Sequence, residues 1–189
     1  MPRYIYYTAT TLDGFLADQN DSLDWLFAQE QDEAGPQNYE EFITGIGVLV
    51  MGATTYEWVM TNHVAKGEPW MYSQPTLVFT HRALEPVDES VLMVAGTPAD
   101  HRKEIEKAAG DKDVWVVGGG DLAAQFAEAG MLDEVQLSIA PVVLGAGRPL
   151  FPRRYDLELL DHARNGAFLT ARYRVLGPLR TDARSADGR

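Results

Sequence analysis

The stretch Val114-Trp-Val-Val-Gly-Gly-Gly-Asp-Leu-Ala123 decides the fold. Its four apolar residues predict a buried strand, and the residues after the three glycines predict a helix. Because Gly118, Gly119 and Gly120 lack a Cβ atom, the backbone can turn tightly there and offer its N–H groups to a ligand. The positive end of the helix dipole suits a pyrophosphate. The alternative is a tight turn without a ligand, and the spacing fits neither a P-loop nor the Gly-x-Gly-x-x-Gly fingerprint.

Two further predicted strands end in similar junctions. Residues 48–55 read Val-Leu-Val-Met-Gly-Ala-Thr-Thr, which places a glycine and two hydroxyls at the start of a helix. An ordinary N-cap is the alternative there. Residues 76–82 read Thr-Leu-Val-Phe-Thr-His-Arg and end in a hydroxyl, an imidazole and a guanidinium, which suit a phosphate monoester. Open parallel sheets bind ligands beyond the carboxyl ends of their strands, so the three junctions predict one site.

The order of the predicted elements indicates an α/β fold. Strands and helices alternate over the first two-thirds of the chain, which predicts a mostly parallel sheet with helices on both faces. The last third reads as strand after strand and predicts antiparallel edge strands on the same sheet. Pro36 is expected in the first turn of the second helix, and Val142-Val-Leu144 is expected to extend the strand that precedes it. We expect one domain over residues 1–176 and a polar tail over 177–189.

Charge and composition exclude several functions. The formal net charge is −12, and residues 1–60 carry ten acids against a single arginine, a net −9. This balance argues against nucleic-acid and anionic membrane partners and favours a neutral or cationic small-molecule substrate. The chain has no cysteine, its four histidines lack metal-ligand spacing, and no apolar run could span a bilayer. We therefore expect no metal and a soluble, cytoplasmic protein.

Three other side chains are candidate substrate-side residues, and each has a second, structural interpretation. Asp13 lies beside Gly14 just after the first predicted strand, as a turn residue or as a group that faces the substrate. Trp25 and Tyr56 are core residues or aromatic groups beside the ligand.

Four segments resemble the dihydrofolate reductase superfamily, and most closely the reductase domain at the C-terminus of RibD, the riboflavin-pathway deaminase–reductase. They are Thr11-Leu-Asp-Gly-Phe-Leu-Ala17, Val50-Met-Gly-Ala-Thr-Thr-Tyr-Glu57, Val116-Val-Gly-Gly-Gly120 and the stretch from Leu132-Asp-Glu to Ala140-Pro-Val-Val-Leu-Gly-Ala-Gly-Arg-Pro-Leu-Phe151. The match spans residues 4–175 in family order.

The resemblance implies a three-layer α/β/α sandwich with a mixed sheet, NADPH as the hydride donor, and often a homodimer. It implies nicotinamide contacts by Ala9, Leu16 and Ala17, adenosine-side phosphate contacts by Gly52, Ala53, Thr54 and Thr55, a 2′-phosphate site at Thr80, His81 and Arg82, and pyrophosphate contacts by Val117, Gly118, Gly119, Gly120, Asp121 and Leu122. It also places Asp13 toward the substrate as proton donor or orienter, with Trp25 and Tyr56 nearby.

Two departures from the family shape the functional prediction. Ala53 stands where the family often has Arg or Lys, so NADH stays an alternative to NADPH. The second helix lacks the early acid that pairs with the pterin in true dihydrofolate reductases. The sequence predicts a stand-alone NADPH-dependent reductase of a small heterocyclic (pterin- or pyrimidine-like) or carbonyl-type substrate. The alternatives are a non-catalytic dinucleotide-binding protein of the same fold and a binder of another phosphorylated ligand.

Overall fold

A computed structural model describes residues 1–179. In this range the strands are β1 (Tyr4–Thr11), β2 (Phe15–Ala17), β3 (Ile46–Gly52), β4 (Thr76–Phe79), β5 (Val91–Val94), β6 (Asp113–Gly118), β7 (Glu134–Ala140), β8 (Arg148–Pro149), β9 (Tyr155–Asn165) and β10 (Phe168–Pro178). The α-helices are α1 (Asp24–Phe27), α2 (Tyr39–Thr44), α3 (Ala53–Asn62), α4 (Arg102–Ala109) and α5 (Gly120–Glu128). Short 3₁₀ helices cover Val64–Lys66 and Pro98–His101.

Eight strands form one mixed sheet in the order β5-β4-β3-β6-β1-β7-β10-β9. The first six are parallel to one another, whereas β10 runs antiparallel to both β7 and β9. A separate antiparallel pair joins β2 to β8. The mostly parallel sheet and its antiparallel C-terminal strands confirm the predicted α/β architecture.

Helices cover both faces of this sheet. On one face, Ile105 of α4 and Phe126 of α5 pack over Val48 and Val50. On the other face, α2 and α3 pack over Leu49 and its neighbours. Successive residues of a strand point to opposite faces, so the apolar run of β3 contributes to two cores. The three layers of the predicted sandwich follow from this double burial.

Proline positions correct two expected boundaries. Pro36 lies before α2 rather than in its first turn, because the side chain of Asn38 caps that helix by accepting a hydrogen bond from the Glu41 amide at 2.8 Å. β7 ends at Ala140, and Val142-Val-Leu144 forms a loop after Pro141 rather than further strand. Proline has no N–H to donate to a neighbouring strand.

The polar tail begins later than expected. β10 continues through Gly177 and Pro178, which pair with Asp156 and Tyr155 of β9. Residues 180–189 of the predicted tail lie outside the described residues. Between residues 1 and 179, no helix has the length and apolar character needed to cross a bilayer.

Candidate functional site

A cleft of about 1130 Å³ opens beyond the carboxyl ends of the parallel strands. The segments that follow β3, β4 and β6 all line it, as the three predicted junctions require. Parallel strands end at the same edge of a sheet, which is why segments far apart in the chain meet here. The structure thus brings the three junctions into one site.

The glycine junction after β6 shapes the centre of the cleft. Gly118 has a φ of +154° and is joined to Gly119 by a cis peptide bond. Gly120 begins α5, and a Cβ atom there would collide with the backbone carbonyl oxygens of Pro149 and Leu150. Gly119 is the N-cap residue of α5, and no side chain caps the helix. The positive end of the α5 dipole therefore lies at the cleft, with the carboxylate of Asp121 in the first turn of the helix.

A second helix begins at the cleft in the same way. Gly52 is the N-cap residue of α3 and no side chain caps this helix either. Thr54 and Thr55 lie in its first turn and line the cleft. Gly52, rather than either threonine, is the N-cap residue of α3, and both hydroxyl-bearing residues line the cleft.

Beyond β4, the predicted phosphate-binding group is built around Arg82. The Arg82 amide donates a hydrogen bond to Thr80 Oγ1 at 2.9 Å, which fixes the turn after the strand. Its guanidinium forms an ion pair with the Glu57 carboxylate of α3 at 2.8 Å. His81 is exposed and also lines the cleft.

All sixteen residues that the sequence assigned to cofactor binding line this one cleft. They are Ala9, Leu16, Ala17, Gly52, Ala53, Thr54, Thr55, Thr80, His81, Arg82, Val117, Gly118, Gly119, Gly120, Asp121 and Leu122. The described range 1–179 contains no group of three or more metal-binding side chains.

Asp13 does not lie among the residues that line the cleft. Its carboxylate accepts hydrogen bonds from Thr11 Oγ1 at 2.6 Å and from the amides of Leu144 and Gly145 at 3.1 and 2.7 Å. The Thr11 hydroxyl, followed by these amides, lowers the pKa of Asp13 below its usual value. The turn-residue interpretation describes this geometry, and a position toward the substrate stays a prediction.

Trp25 and Tyr56 are also absent from the cleft lining. Tyr56 lies on the buried face of α3, and its hydroxyl donates a hydrogen bond to the Glu85 carbonyl at 2.8 Å. Trp25 is partly buried, and its enclosed indole N–H has no hydrogen-bond partner among residues 1–179. Tyr56 follows the core interpretation. Trp25 belongs to neither core cluster, and its position beside the substrate stays a prediction.

An aromatic group that the sequence analysis missed lines the cleft instead. The Trp115 ring lies 5.6 Å from the ring of Tyr72, 5.8 Å from that of Tyr39 and 6.0 Å from that of Tyr7, in edge-on arrangements. All four residues line the cleft. Because side chains alternate along a strand, Trp115 lies on the other face of the sheet from Val114 and Val116. This alternation is the sequence signal that could have indicated the position of Trp115.

Arginine side chains pair with the acidic residues of the cleft. Asp21 pairs with Arg148 at 2.5 Å, Glu57 with Arg82 at 2.8 Å, and Asp121 with Arg153 at 3.3 Å. The basic residues that line the cleft within residues 1–179 are His81, Arg82 and Arg148. Because both of these arginines are paired with acids, the cleft offers little uncompensated positive charge.

Burial changes the acidity of the phenols at the aromatic end. Loss of solvent raises the pKa of Tyr7 to about 12, with a smaller contribution from Tyr39. Burial also raises the pKa values of Tyr39 and Tyr72. The Tyr7 hydroxyl donates its hydrogen bond to the Gln37 carbonyl at 2.8 Å. The protonated phenols of Tyr39 and Tyr72 can donate hydrogen bonds to a ligand.

Two curated proteins of Bacillus subtilis are similar in sequence to this chain. Among curated relatives, the Bacillus subtilis protein YyaP is 29% identical over 171 residues, covering 84% of this chain and 87% of its own. YwjB from the same organism is 31% identical over 149 residues, covering 78% of this chain and 81% of its own. Both carry only the description of uncharacterized proteins.

Solved structures share the fold. A protein from Shewanella sp. PV-4, provisionally assigned to riboflavin biosynthesis, superposes with a TM-score of 0.77 at 24% identity, over 92% of this chain and 98% of its own. A diaminohydroxyphosphoribosylaminopyrimidine deaminase/5-amino-6-(5-phosphoribosylamino)uracil reductase from Thermotoga maritima gives 0.63 at 16% identity, over 92% of this chain and 56% of its own. The family model of the RibD C-terminal domain matches residues 2–166. The chain belongs to the RibD C-terminal domain family, with its dihydrofolate reductase-like fold.

Proposed function

We propose that the protein is a reductase that takes a hydride from NADPH. RibD C-terminal domains include reductases of the riboflavin-pathway type. The observation that carries the proposal is the convergence of all sixteen expected cofactor residues on a single cleft. That convergence involves backbone positions from several strands, and it does not depend on any one side chain.

The cleft fits the phosphates of a dinucleotide. The first turns of α3 and α5, neither of them capped by a side chain, line it from neighbouring junctions. Helix N-termini and glycine-rich turns bind pyrophosphate through backbone N–H groups. Thr80, His81 and Arg82 would hold the 2′-phosphate. Backbone groups and dipoles do not enter the formal charge, so a chain of net charge −12 can still bind this anionic cofactor.

The other end of the cleft would hold the substrate. Ala9 and Ala17 would lie beside the nicotinamide, which supplies the hydride when NADPH is bound. Beyond them, Tyr39, Tyr72 and Trp115 offer flat apolar surfaces and phenol donors. Aromatic walls favour flat rings, and the negative faces of the rings also attract cations. A neutral or cationic heterocycle of pterin or pyrimidine type, or a carbonyl compound, suits this end.

A phosphorylated substrate fits less well. The Thermotoga reductase is named for a phosphoribosylamino-uracil substrate. In this chain, Arg148 is already paired with Asp21, and Arg82 belongs to the proposed cofactor end. We therefore propose a substrate that shares a heterocyclic ring with that compound but lacks its phosphate.

Two measurements test the proposal. Fluorescence titration with NADPH and NADH measures binding, and loss of NADPH absorbance with a panel of pterins, pyrimidines and carbonyl compounds measures turnover. Binding with substrate-dependent consumption supports a reductase. Binding without consumption across the panel favours the non-catalytic dinucleotide-binding alternative. Absence of binding at millimolar concentration would reject both and favour another phosphorylated ligand.

We also propose a homodimer, as the family resemblance implies. β9 is the edge strand of the large sheet, and the exposed leucines of the β9–β10 hairpin include Leu159, Leu169 and Leu176, each at least half exposed. A long edge strand with exposed apolar side chains is normally covered by a partner. Light scattering coupled to gel filtration checks this, and a monomer at micromolar concentration would reject it.

A further inference from the structure

The guanidinium of Arg82 is paired with the carboxylate of Glu57. Its Nη1 atom lies 2.9 Å from Glu57 Oε1 and 2.8 Å from Glu57 Oε2. Glu57 lies one turn after Ala53 on α3, so both face the same side of that helix. Both also line the cleft, as Arg82 does. The place expected for the 2′-phosphate therefore contains a carboxylate as well as a guanidinium.

This pairing bears differently on the two nicotinamide dinucleotides. The 2′-phosphate of NADPH needs Arg82 as a counter-ion, so it must compete with Glu57 for that guanidinium and then lies close to a negative carboxylate. NADH has a hydroxyl at the same position. A hydroxyl can donate a hydrogen bond to Glu57 while the ion pair with Arg82 stays intact.

Resting on the proposed dinucleotide function, we infer that Glu57 is a specificity-determining residue that lowers the preference for NADPH over NADH by holding Arg82. Ala53 strengthens the effect, because no cation at that position compensates the carboxylate. The side chains of Arg82 and Glu57 are 52% and 41% exposed, so solvent screens the pair. An effect of about fivefold on the affinity ratio is expected for a pair of this kind.

The test measures dissociation constants of NADPH and NADH for the full chain and for Glu57→Gln. The substitution keeps the shape of the side chain and removes its charge. The dissociation constant of NADPH should fall about fivefold, whereas that of NADH should stay constant or rise. Glu106→Gln is the matched control, because Glu106 pairs with Arg102 on α4 and does not line the cleft. It should leave both constants unchanged.

A double-mutant cycle identifies the route of the effect. If Glu57 acts by holding Arg82, the gain in NADPH affinity from Glu57→Gln should shrink in an Arg82→Ala background. If the wild-type chain binds both dinucleotides and Glu57→Gln leaves their affinity ratio unchanged, the inference is overturned and the proposed function stands. If the wild-type chain binds neither, the proposed function fails, and the inference fails with it.

Discussion

The carboxylate of Asp13 accepts a hydrogen bond from the backbone amide of Gly145 at 2.7 Å, so the turn after β1 is fastened to the loop after β7. The same carboxylate binds the Leu144 amide, and Thr11 Oγ1 holds it from the other side. The fastened loop leads into β8, whose Arg148 and Pro149 line the cleft. Asp13 is therefore a positioning residue for one wall of the site.

Asp13→Asn should lower the melting temperature by a few degrees near neutral pH, because an ionised carboxylate accepts these hydrogen bonds better than an amide does. The folded-state pKa of Asp13 is lowered, so its contribution is present above the unfolded value and disappears as pH falls through the folded value. Thermal unfolding at about pH 7 and about pH 3 measures the difference. Asp111→Asn, at an exposed turn, is the control. An equal loss at both pH values would contradict the role of the charge.

Alanine substitutions at the two adjacent glycines at the start of α5 should have different effects, one on stability and the other on NADPH binding. Gly120→Ala places a Cβ atom against the carbonyls of Pro149 and Leu150, and should destabilise the protein by about 2 kcal/mol. Gly119→Ala finds open space at an ordinary φ of −85°, so stability should be unchanged. Its methyl group would occupy space beside the phosphates, and NADPH affinity should fall at least about tenfold. Denaturant unfolding and fluorescence titration check the two effects, and equal stabilities would contradict the close packing at Gly120.

The proposed cofactor half of the cleft was predictable because it is built from strand-to-helix junctions. Glycines and a helix start leave a local pattern, and the parallel sheet brings such patterns together whatever their distance along the chain. The convergence of residues 48–55 with residues 114–123 needed only the order of elements. Backbone geometry of this kind is encoded locally.

The aromatic end of the cleft, which we propose holds the substrate, was not predictable for the opposite reason. Tyr7, Tyr39, Tyr72 and Trp115 come from two strands, a helix and a loop, and each alone resembles a core residue. Their meeting depends on β6 lying beside β1, which is tertiary information. Asp13 shows the same difficulty, since the sequence places it at a strand end but does not show whether a turn directs the carboxylate toward the cleft.

Tyr39→Ala should impair catalysis without weakening the binding of the cofactor. Tyr39 is partly exposed and lines the aromatic end, so its removal costs stacking against the substrate but little packing in the core. We expect about a tenfold loss in kcat/KM for the first substrate found to support NADPH consumption. The NADPH dissociation constant should stay within about twofold. Tyr173→Ala, outside the cleft, is the control. If Tyr39→Ala weakened only cofactor binding, Tyr39 would belong to the cofactor end of the cleft instead.

His101 should make stability depend on pH. Its Nε2 lies 2.8 Å from the Ala95 carbonyl and its Nδ1 lies 3.0 Å from the Glu104 carboxylate, so only the protonated ring can donate to both. The Ala95 contact, and then Glu104, raises the pKa of His101. This stabilisation is complete below the unfolded value and is lost as pH rises through the folded value.

His101→Gln should therefore lower the melting temperature more at about pH 5 than at about pH 9. Differential scanning calorimetry over this range measures the effect, with His162→Gln on the exposed strand β9 as the control. A deficit that grows toward alkaline pH would have the opposite sign to that required by the two contacts.

Ala53→Arg should strengthen NADPH binding by restoring a cation at the start of α3. Ala53 lines the cleft in the first turn of the helix, one turn before Glu57, so a guanidinium there can reach the adenosine-side phosphates. A charge-assisted hydrogen bond to phosphate should lower the NADPH dissociation constant about tenfold. NADH should change less than NADPH, because it lacks the 2′-phosphate. Ala53→Gln adds length without charge and should have little effect. Equal gains for both dinucleotides would place the new cation beside the pyrophosphate instead.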